Sequence, residues 1–373
     1  MSNTLKLGNG QWATGKDTIL AYNDLNSNYK PLAFSFSRAS SGTVVNKDGL
    51  IETVGSGEPR IDFKDNTKGA LKLEPQRSNL FTYSEAISNS SPKSGTFVDN
   101  FAISPDGTQN ATKLTAINTD PYFYQSVTVG SGDYTISVYV KGIGSTIGKE
   151  FLLILGSGIN STPQTITGEW KRFTFSGTLS AGTTIRGLEI PNPAVSGDEL
   201  LVWGLQLEQG SYATSYIPTS GQANGVTRVA DSSSQTVPDS VIGQTEGTMF
   251  LDVGKYKSIG SISSAIIYIS NALGDRLGFA VSNTKLIRVR VNAVNEQIGG
   301  TKVENSKTAI RYTSMGIDVF YNGVKQTLTT IGSEVFSLPT SVTAAVPNQT
   351  YDIKGLKLYN TALTDQELIA LTS

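Results

Sequence analysis

Short runs in which apolar and polar residues alternate, each stopped within a few positions by Gly, Pro, Asn or Ser, set the fold class of this chain. Tyr134, Ile136, Val138 and Val140 alternate with Thr135, Ser137, Tyr139 and Lys141, the period of a strand with one buried face. Residues 151–155, 170–175, 185–190 and 200–207 repeat the theme between turn formers, at the spacing of a sandwich or jelly roll. Met249, Leu251 and Val253, and later Ile287, Val289 and Val291, carry the same period. With 38 Gly, 13 Pro and 16% charged residues in 373, the composition suits many short strands rather than a helical bundle. The expected class is all-β: an N-terminal docking segment, two antiparallel β-sandwich (jelly-roll) domains, and one short C-terminal helix.

Turn chemistry sharpens this. Asn322-Gly323 lies between apolar runs and both positions tolerate positive φ, which predicts a hairpin; Asp48-Gly49 predicts another near the N-terminus. Thr364-Asp-Gln-Glu367 reads as a capping box, and Leu368, Ile369 and Leu371 follow at near-helical spacing. Residues 1–31 are polar, with scattered Leu5, Leu7, Trp12, Ile19, Leu20 and Tyr22 that hold no period. Such a segment is expected to need something to pack on: its own chain, another subunit or a larger particle. The expected organisation is a docking and connector segment over 1–75, a jelly roll over 76–219, a linker over 220–243 where Ser, Gln, Asn, Gly and Thr dominate, and a second sandwich over 244–373.

Charge and composition exclude several chemistries. Lys+Arg at 30 against Asp+Glu at 31 leaves a net charge of -1 without long runs of one sign, so neither nucleic acid nor an anionic membrane is an expected partner. With 0 His and 0 Cys, disulfides, Cys/His zinc sites and imidazole-based triads are absent. The opening residues lack the apolar stretch of a signal peptide, and no apolar run approaches the roughly 18 residues that span a bilayer. Synthesis in the cytoplasm without membrane insertion is expected.

Several motifs carry a family resemblance. Asn3-Thr-Leu-Lys-Leu-Gly-Asn-Gly-Gln-Trp-Ala13, Ser37-Arg-Ala-Ser-Ser-Gly42, Asp48-Gly-Leu-Ile-Glu52 and Leu73-Glu-Pro-Gln-Arg-Ser-Asn-Leu80 make the N-terminal half resemble modular bacteriophage virion proteins of the head-fibre and tail-fibre type. From Ser104-Pro-Asp-Gly107 to Trp203-Gly-Leu-Gln-Leu-Glu-Gln-Gly-Ser-Tyr-Ala-Thr-Ser-Tyr-Ile-Pro218, the middle is similar to the jelly-roll module of such proteins and to carbohydrate-binding modules. Gly355-Leu-Lys-Leu-Tyr-Asn-Thr-Ala-Leu-Thr-Asp-Gln-Glu-Leu368 resembles the last strand and helix of concanavalin A-like or laminin G-like domains. The resemblance implies a structural virion protein on the particle surface, a homotrimer docked to capsid or tail proteins through residues 1–30, with a role in host adsorption through surface glycans. A glycan hydrolase or free lectin, and a capsid decoration protein that only stabilises the shell, are the alternatives.

Sugars present C–H faces and hydroxyl edges, so glycan sites pair an exposed aromatic with Asp, Asn or Gln hydrogen bonders. Tyr122, Tyr124 and Trp170 are the candidates in the middle domain. Tyr122-Phe123-Tyr124 cannot all face one side of a strand. Trp203 lies in an apolar run and reads as core, whereas Trp170 follows a Gly-Glu turn and reads either as packing or as platform. In the last domain Tyr268, Asn271, Asp275, Arg276 and Tyr321 fall near strand ends and turns, as display residues or as solvated turn residues. Structural calcium is open to either sandwich through oxygen ligands, none of which the sequence names. For hydrolysis, Glu189, Asp198, Glu199 and Glu208 are available, but no Glu-x-Asp pair and no phosphate loop occurs. A non-enzymatic protein without a cofactor is expected.

Overall fold

Ile287, Val289 and Val291 are buried along strand Leu286–Val291 while Leu286, Arg288 and Arg290 are not, so the alternation in the sequence becomes a two-faced strand. This computed structural model describes residues 5–23, 27–28, 33–91, 93–118, 121–156, 158–189, 194–222, 225–236, 240–258, 264–281, 286–344 and 349–373. The chain divides into two units: a central one of Leu50–Thr53 and Gln76–Arg228, and a terminal one of Met1–Gly49, Val54–Pro75 and Val229–Ser373. Both are built mainly of antiparallel strands, and among the described residues the one α-helix is the short Asp365–Thr372.

In the central unit one sheet runs Lys93–Ser94, Tyr122–Thr128, Thr184–Glu189, Glu150–Gly156, Ile159–Asn160, with Gln164–Thr165 also paired to Glu150–Gly156. The other runs Thr96–Ala102, Ala111–Thr115, Glu199–Gln209, Gly132–Ile143, Lys171–Leu179. Phe123, Phe151, Leu153 and Leu188 of the first share one core with Leu114, Ile136, Val138, Val140, Phe173, Leu200 and Val202 of the second. Burying such side chains contributes about 1.5–3 kcal/mol each, enough to fix which face of each strand turns inward. The strands expected over 134–141, 151–155, 170–175 and 200–207 all form, as does that over 185–190 as far as Glu189; Ile190 lies outside the described residues.

Among the described residues, the terminal unit has an eight-stranded and a nine-stranded sheet. The first centres on Gly247–Ser258 and Gln349–Tyr359; the second contains Ala33–Ser37, Ser232–Thr236, Pro339–Ala344, Ser264–Asn271, Arg276–Val281, Leu286–Val291 and Val294–Lys302 in pairing order. Asn322 and Gly323 take φ of +43° and +80°, and Tyr321 pairs with Val324, the expected two-residue hairpin. Gly49 has φ +81° and its N–H donates to Asn46 O at 3.1 Å, in a turn between strands Gly42–Val45 and Ile51–Val54. The helix carries the full capping box: Glu367 N–H donates to Thr364 Oγ1 and Thr364 N–H to Glu367 Oε2.

Two boundary expectations are corrected. Residues 1–75 do not stand apart as one segment: Leu5–Gly8 pairs with Gln349–Tyr359, placing Leu5 opposite Leu358 and Leu7 opposite Leu356, with Leu5 and Leu7 both buried in the terminal unit's core. Ala13–Gly15, Thr18–Leu20 and Ala33–Ser37 extend the nine-stranded sheet. The scattered apolar anchors find their face on strands from the far end of the chain, so residues 5–23 have a folding partner inside their own unit. The rest of the 1–30 docking segment, residues 1–4, 24–26 and 29–30, lies outside the described residues. Nor is 220–243 a linker throughout. Val226–Arg228 pairs with Arg77–Asn79, and Ser232–Thr236 pairs with Ala33–Ser37 and Pro339–Ala344. Ser233 and Gln235 are buried between exposed Ser232, Ser234 and Thr236, so polar residues keep the strand period that only apolar residues would have betrayed. Residues 223–224 and 237–239 lie outside the described residues.

The motif residues are buried polar scaffolding. Arg38 and Arg60 both donate to Asp231, and Arg60 also to Glu74 Oε2 at 2.6 Å. Asn79 donates to the carbonyls of Leu205 and Ile217 and accepts from the N–H groups of Phe81 and Leu207. Gln206 and Glu208 accept from the N–H groups of Ile217 and Thr214, closing the turn of the Trp203 motif. Buried polar groups must be paired in this way, which explains why the motifs are rich in Arg, Glu, Asn and Gln.

Candidate functional site

The outer face of the sheet through Tyr122–Thr128 carries a pair of tyrosines beside a carboxylate. Phe123 pairs with Leu188 and both are buried, which turns Tyr122 and Tyr124 to the opposite side. Their rings stack at a centroid distance of 4.6 Å and 23° between planes. Tyr122 lies opposite Glu189, and the Tyr124 hydroxyl donates to Glu189 Oε2 at 2.9 Å. Gly187 stands opposite Tyr124, where a Cβ would meet Phe123 O at 2.4 Å, so no side chain can fill that place. Leu152 flanks Glu189 from the next strand, and Ser94, opposite Tyr122, accepts from Asn118 Nδ2 at 3.0 Å. Aromatic faces, a carboxylate, a hydroxyl and an amide thus share one surface, the combination that grips C–H faces and hydroxyl edges.

Further along the same strand is a concavity of about 430 Å³ lined by Leu80, Thr82, Tyr83, Gln125, Ser126 and Val127 among others. Gln125 closes its floor, accepting from the N–H groups of Thr82 and Tyr83 and donating to Tyr83 O at 2.9 Å. Among the described residues, none lining it is charged.

The remaining sequence candidates separate. Trp170 Nε1 donates to Ile103 O at 3.0 Å and its ring packs on the cluster of Ala111, Trp203 and Tyr216, so the structure gives it a packing role away from the tyrosine pair. Asn271 and Asp275 close a turn: Asn271 Oδ1 accepts from the N–H groups of Leu273 and Asp275, and Asn271 Nδ2 donates to Asp275 Oδ2 at 3.2 Å and Ser337 O at 3.3 Å. Tyr268 and Arg276 do meet, with the guanidinium 4.6 Å from the ring centroid. Tyr321 lies on the other sheet, packed against the core. Sequence reasoning treated Glu189 only as a hydrolytic carboxylate and passed over Gly187 and Leu152; strand register alone brings these beside the tyrosines.

The other carboxylates act as structural acceptors. Burial works against the ionised form of Asp198, but hydrogen bonds from Lys149, the Val195 N–H and Ser145 outweigh it and hold the carboxyl below the usual range. Lys113, at 2.7 Å, and Thr115 hold Glu199 low as well. A glycosidase acid needs the opposite shift. Glu208 is buried and bonded to Thr214. Among the described residues no three acidic side chains gather as a metal site, and no helix is long and apolar enough to cross a membrane.

No protein-family model and no curated protein matches the sequence. Among solved structures, the chain is similar to Ruminococcus gnavus IT-sialidase CBM40 bound to alpha2,3 sialyllactose, at 15% identity and TM-score 0.29 over 36% of this chain and 85% of that one. It is similar to the binding domain of Botulinum neurotoxin DC in complex with rat synaptotagmin II, at 12% identity and TM-score 0.31 over 38% and 39%. Trypanosoma rangeli sialidase in complex with sialic acid aligns at 10% identity and TM-score 0.31 over 72% and 57%. Likenesses of this size place no ligand on this chain.

Proposed function

We propose that this chain is a non-enzymatic recognition protein of a bacteriophage virion appendage, of the head-fibre or tail-fibre kind, exposed on the particle surface as a homotrimer, and that it contacts host surface glycans during adsorption. The observation that supports the glycan reading most is the Tyr122–Tyr124 ring stack beside Glu189 on an outer sheet face. The virion reading is supported by the four N-terminal motifs and the Trp203 motif, which resemble those of phage fibre proteins. A single tyrosine-lined face without a deep pocket binds weakly, and three copies on one particle would add through effective concentration.

The test is calorimetric titration of the purified chain with neutral host-type surface oligosaccharides, repeated on the Tyr122→Ala, Tyr124→Ala double variant. Loss of about one aromatic contact's worth of affinity, roughly tenfold, is expected. Unchanged affinity in the double variant, or shortening of the sugar polymer by the wild-type chain, would overturn the reading. Sedimentation equilibrium tests the trimer, and gold labelling of the C-terminus on intact particles tests the location.

A further inference from the structure

A second surface, in the terminal unit, has different chemistry. Strands Ser264–Asn271, Arg276–Val281, Leu286–Val291 and Val294–Lys302 pair in that order, with Ile267, Ile269, Leu277, Phe279, Val281, Ile287, Val289 and Val291 buried on the inner side. The register therefore fixes what faces outward. Thr343, Tyr268, Gly278, Arg290 and Asn295 stand opposite one another in a continuous row across five strands. Ser341, Ser270 and Arg276 form a second row, and Ala280, Arg288 and Gln297 a third.

Three features of these rows point to a ligand. Gly278 lies buried between Tyr268 and Arg290, two strand spacings or about 9.5 Å apart; a Cβ there would stand 2.3 Å from Ile267 O and 2.6 Å from Tyr268 Cα, so the backbone keeps any side chain from separating the two. Arg276 lies over the Tyr268 ring, and Arg290 Nε donates to Asn292 O at 2.9 Å, so both guanidinium groups are held in place. Arg276 and Arg290 have Ser, Gly and Asn as cross-strand neighbours, and no acidic residue takes a place in the rows. Asp275, next to Arg276 in the turn, accepts from Asn271 Nδ2. This is a concentrated cationic face on a chain of net charge -1.

We infer that this face binds an acidic polysaccharide, a sugar polymer bearing carboxylate groups, with Arg290 taking a carboxylate and the Tyr268–Arg276 pair supporting a sugar ring. Guanidinium forks match carboxylates in pairs of hydrogen bonds, and Ser270, Ser341 and Thr343 supply hydroxyls at the border of the face. Duplex DNA is the poorer fit, since tight non-specific binding draws on some 6–10 phosphate contacts and the face offers three arginines. The inference concerns another unit and another ligand class than the tyrosine stack, so it stands or falls separately from that reading.

The experiment compares binding of the full chain to immobilised polygalacturonate, neutral dextran, dextran sulfate and duplex DNA, at low and physiological salt. Polygalacturonate is expected to bind at least tenfold more tightly than dextran and to weaken as salt rises. Arg290→Gln and Tyr268→Ala are each expected to lower that affinity several-fold to tenfold without moving the thermal midpoint. Equal binding of dextran, affinity unchanged in Arg290→Gln, or binding of dextran sulfate and DNA that simply follows charge density would each overturn the inference. Neutral oligosaccharides titrated in the same series report on the tyrosine face alone, so failure of one reading leaves a separate record of the other.

Discussion

Asp231 takes one guanidinium on each carboxylate oxygen: Arg38 donates to Oδ1 at 3.0 Å and Arg60 to Oδ2, with all three side chains fully buried. Arg38 reaches onward to the carbonyls of Ser40 and Gly55, and Arg60 to Glu74, so the carboxylate ties together four segments that lie far apart in sequence.

Asp231→Asn should therefore destabilise the terminal unit by about 3–5 kcal/mol, because two buried cations would lose their shared counter-charge. Hydrogen exchange resolved by peptide checks it: protection should fall over Gly42–Val45, Ala70–Leu73 and Ser232–Thr236 while Gly132–Ile143 in the central unit keeps its rate. Equal loss in both units would show that the network is not local to the terminal one.

Trp203 is a core residue, wedged between Tyr139 at 5.4 Å and Tyr216 at 4.5 Å, yet its indole N–H meets no acceptor among the described residues. Trp203→Ala should cost about 3–5 kcal/mol for the cavity. Trp203→Phe should stay within about 1.5 kcal/mol of wild type, since it also removes an unpaired buried donor. Urea midpoints of the two variants give the comparison, and equal losses would contradict the expectation.

Gly323 and Gly274 both sit at positive φ, +80° and +85°, but only at Gly323 would a Cβ meet another residue, Ser373 Oγ at 2.8 Å. That hydroxyl donates to Ile369 O at the end of the helix. Both Ala variants should lose about 1 kcal/mol to backbone strain, and Gly323→Ala up to about 1 kcal/mol more as the helix end is displaced. Chemical denaturation of the pair separates the contact from the strain.

Glu296 supplies an acid-sensitive element. Burial favours its neutral form, but the N–H groups of Ile331, Thr329 and Thr330 and the Thr329 hydroxyl prevail and hold its carboxyl below the ordinary value. A folded-state value below the unfolded one means that the ionised group stabilises the fold above the unfolded value, about 4.3. That stabilisation is lost as pH falls through the folded value. The wild-type midpoint should drop more steeply below about pH 4.3 than that of Glu296→Gln, which should be less stable by about 1–3 kcal/mol at neutral pH. Parallel pH series of thermal melts test the difference in slope.

What the sequence made legible was local. Alternation located Gly132–Ile143 and Leu286–Val291, Asn322-Gly323 located a hairpin, and Thr364 with Glu367 located the helix, because in each case the deciding contacts lie within a few residues. Illegible were features made by pairing at a distance. Ser232–Thr236 carries no apolar residue, so nothing in its composition announces a strand between Ala33–Ser37 and Pro339–Ala344. The site candidates divide along the same line. Tyr122 and Tyr124 were visible as a clash of periodicity, whereas Glu189 and the row joining Tyr268 to Arg290 exist only through register.

Pairing of Leu5–Gly8 with Gln349–Tyr359 also dictates an order of events during synthesis. The first strand leaves the ribosome with its neighbour still untranslated, and the whole central unit is made in the interval. Residues 76–228 can collapse as they emerge, while strand Leu5–Gly8 must wait until Gln349–Tyr359 has been made. Ribosomes that stall before residue 349 would leave Leu5–Gly8 and Gly247–Ser258 without the strand that lies between them.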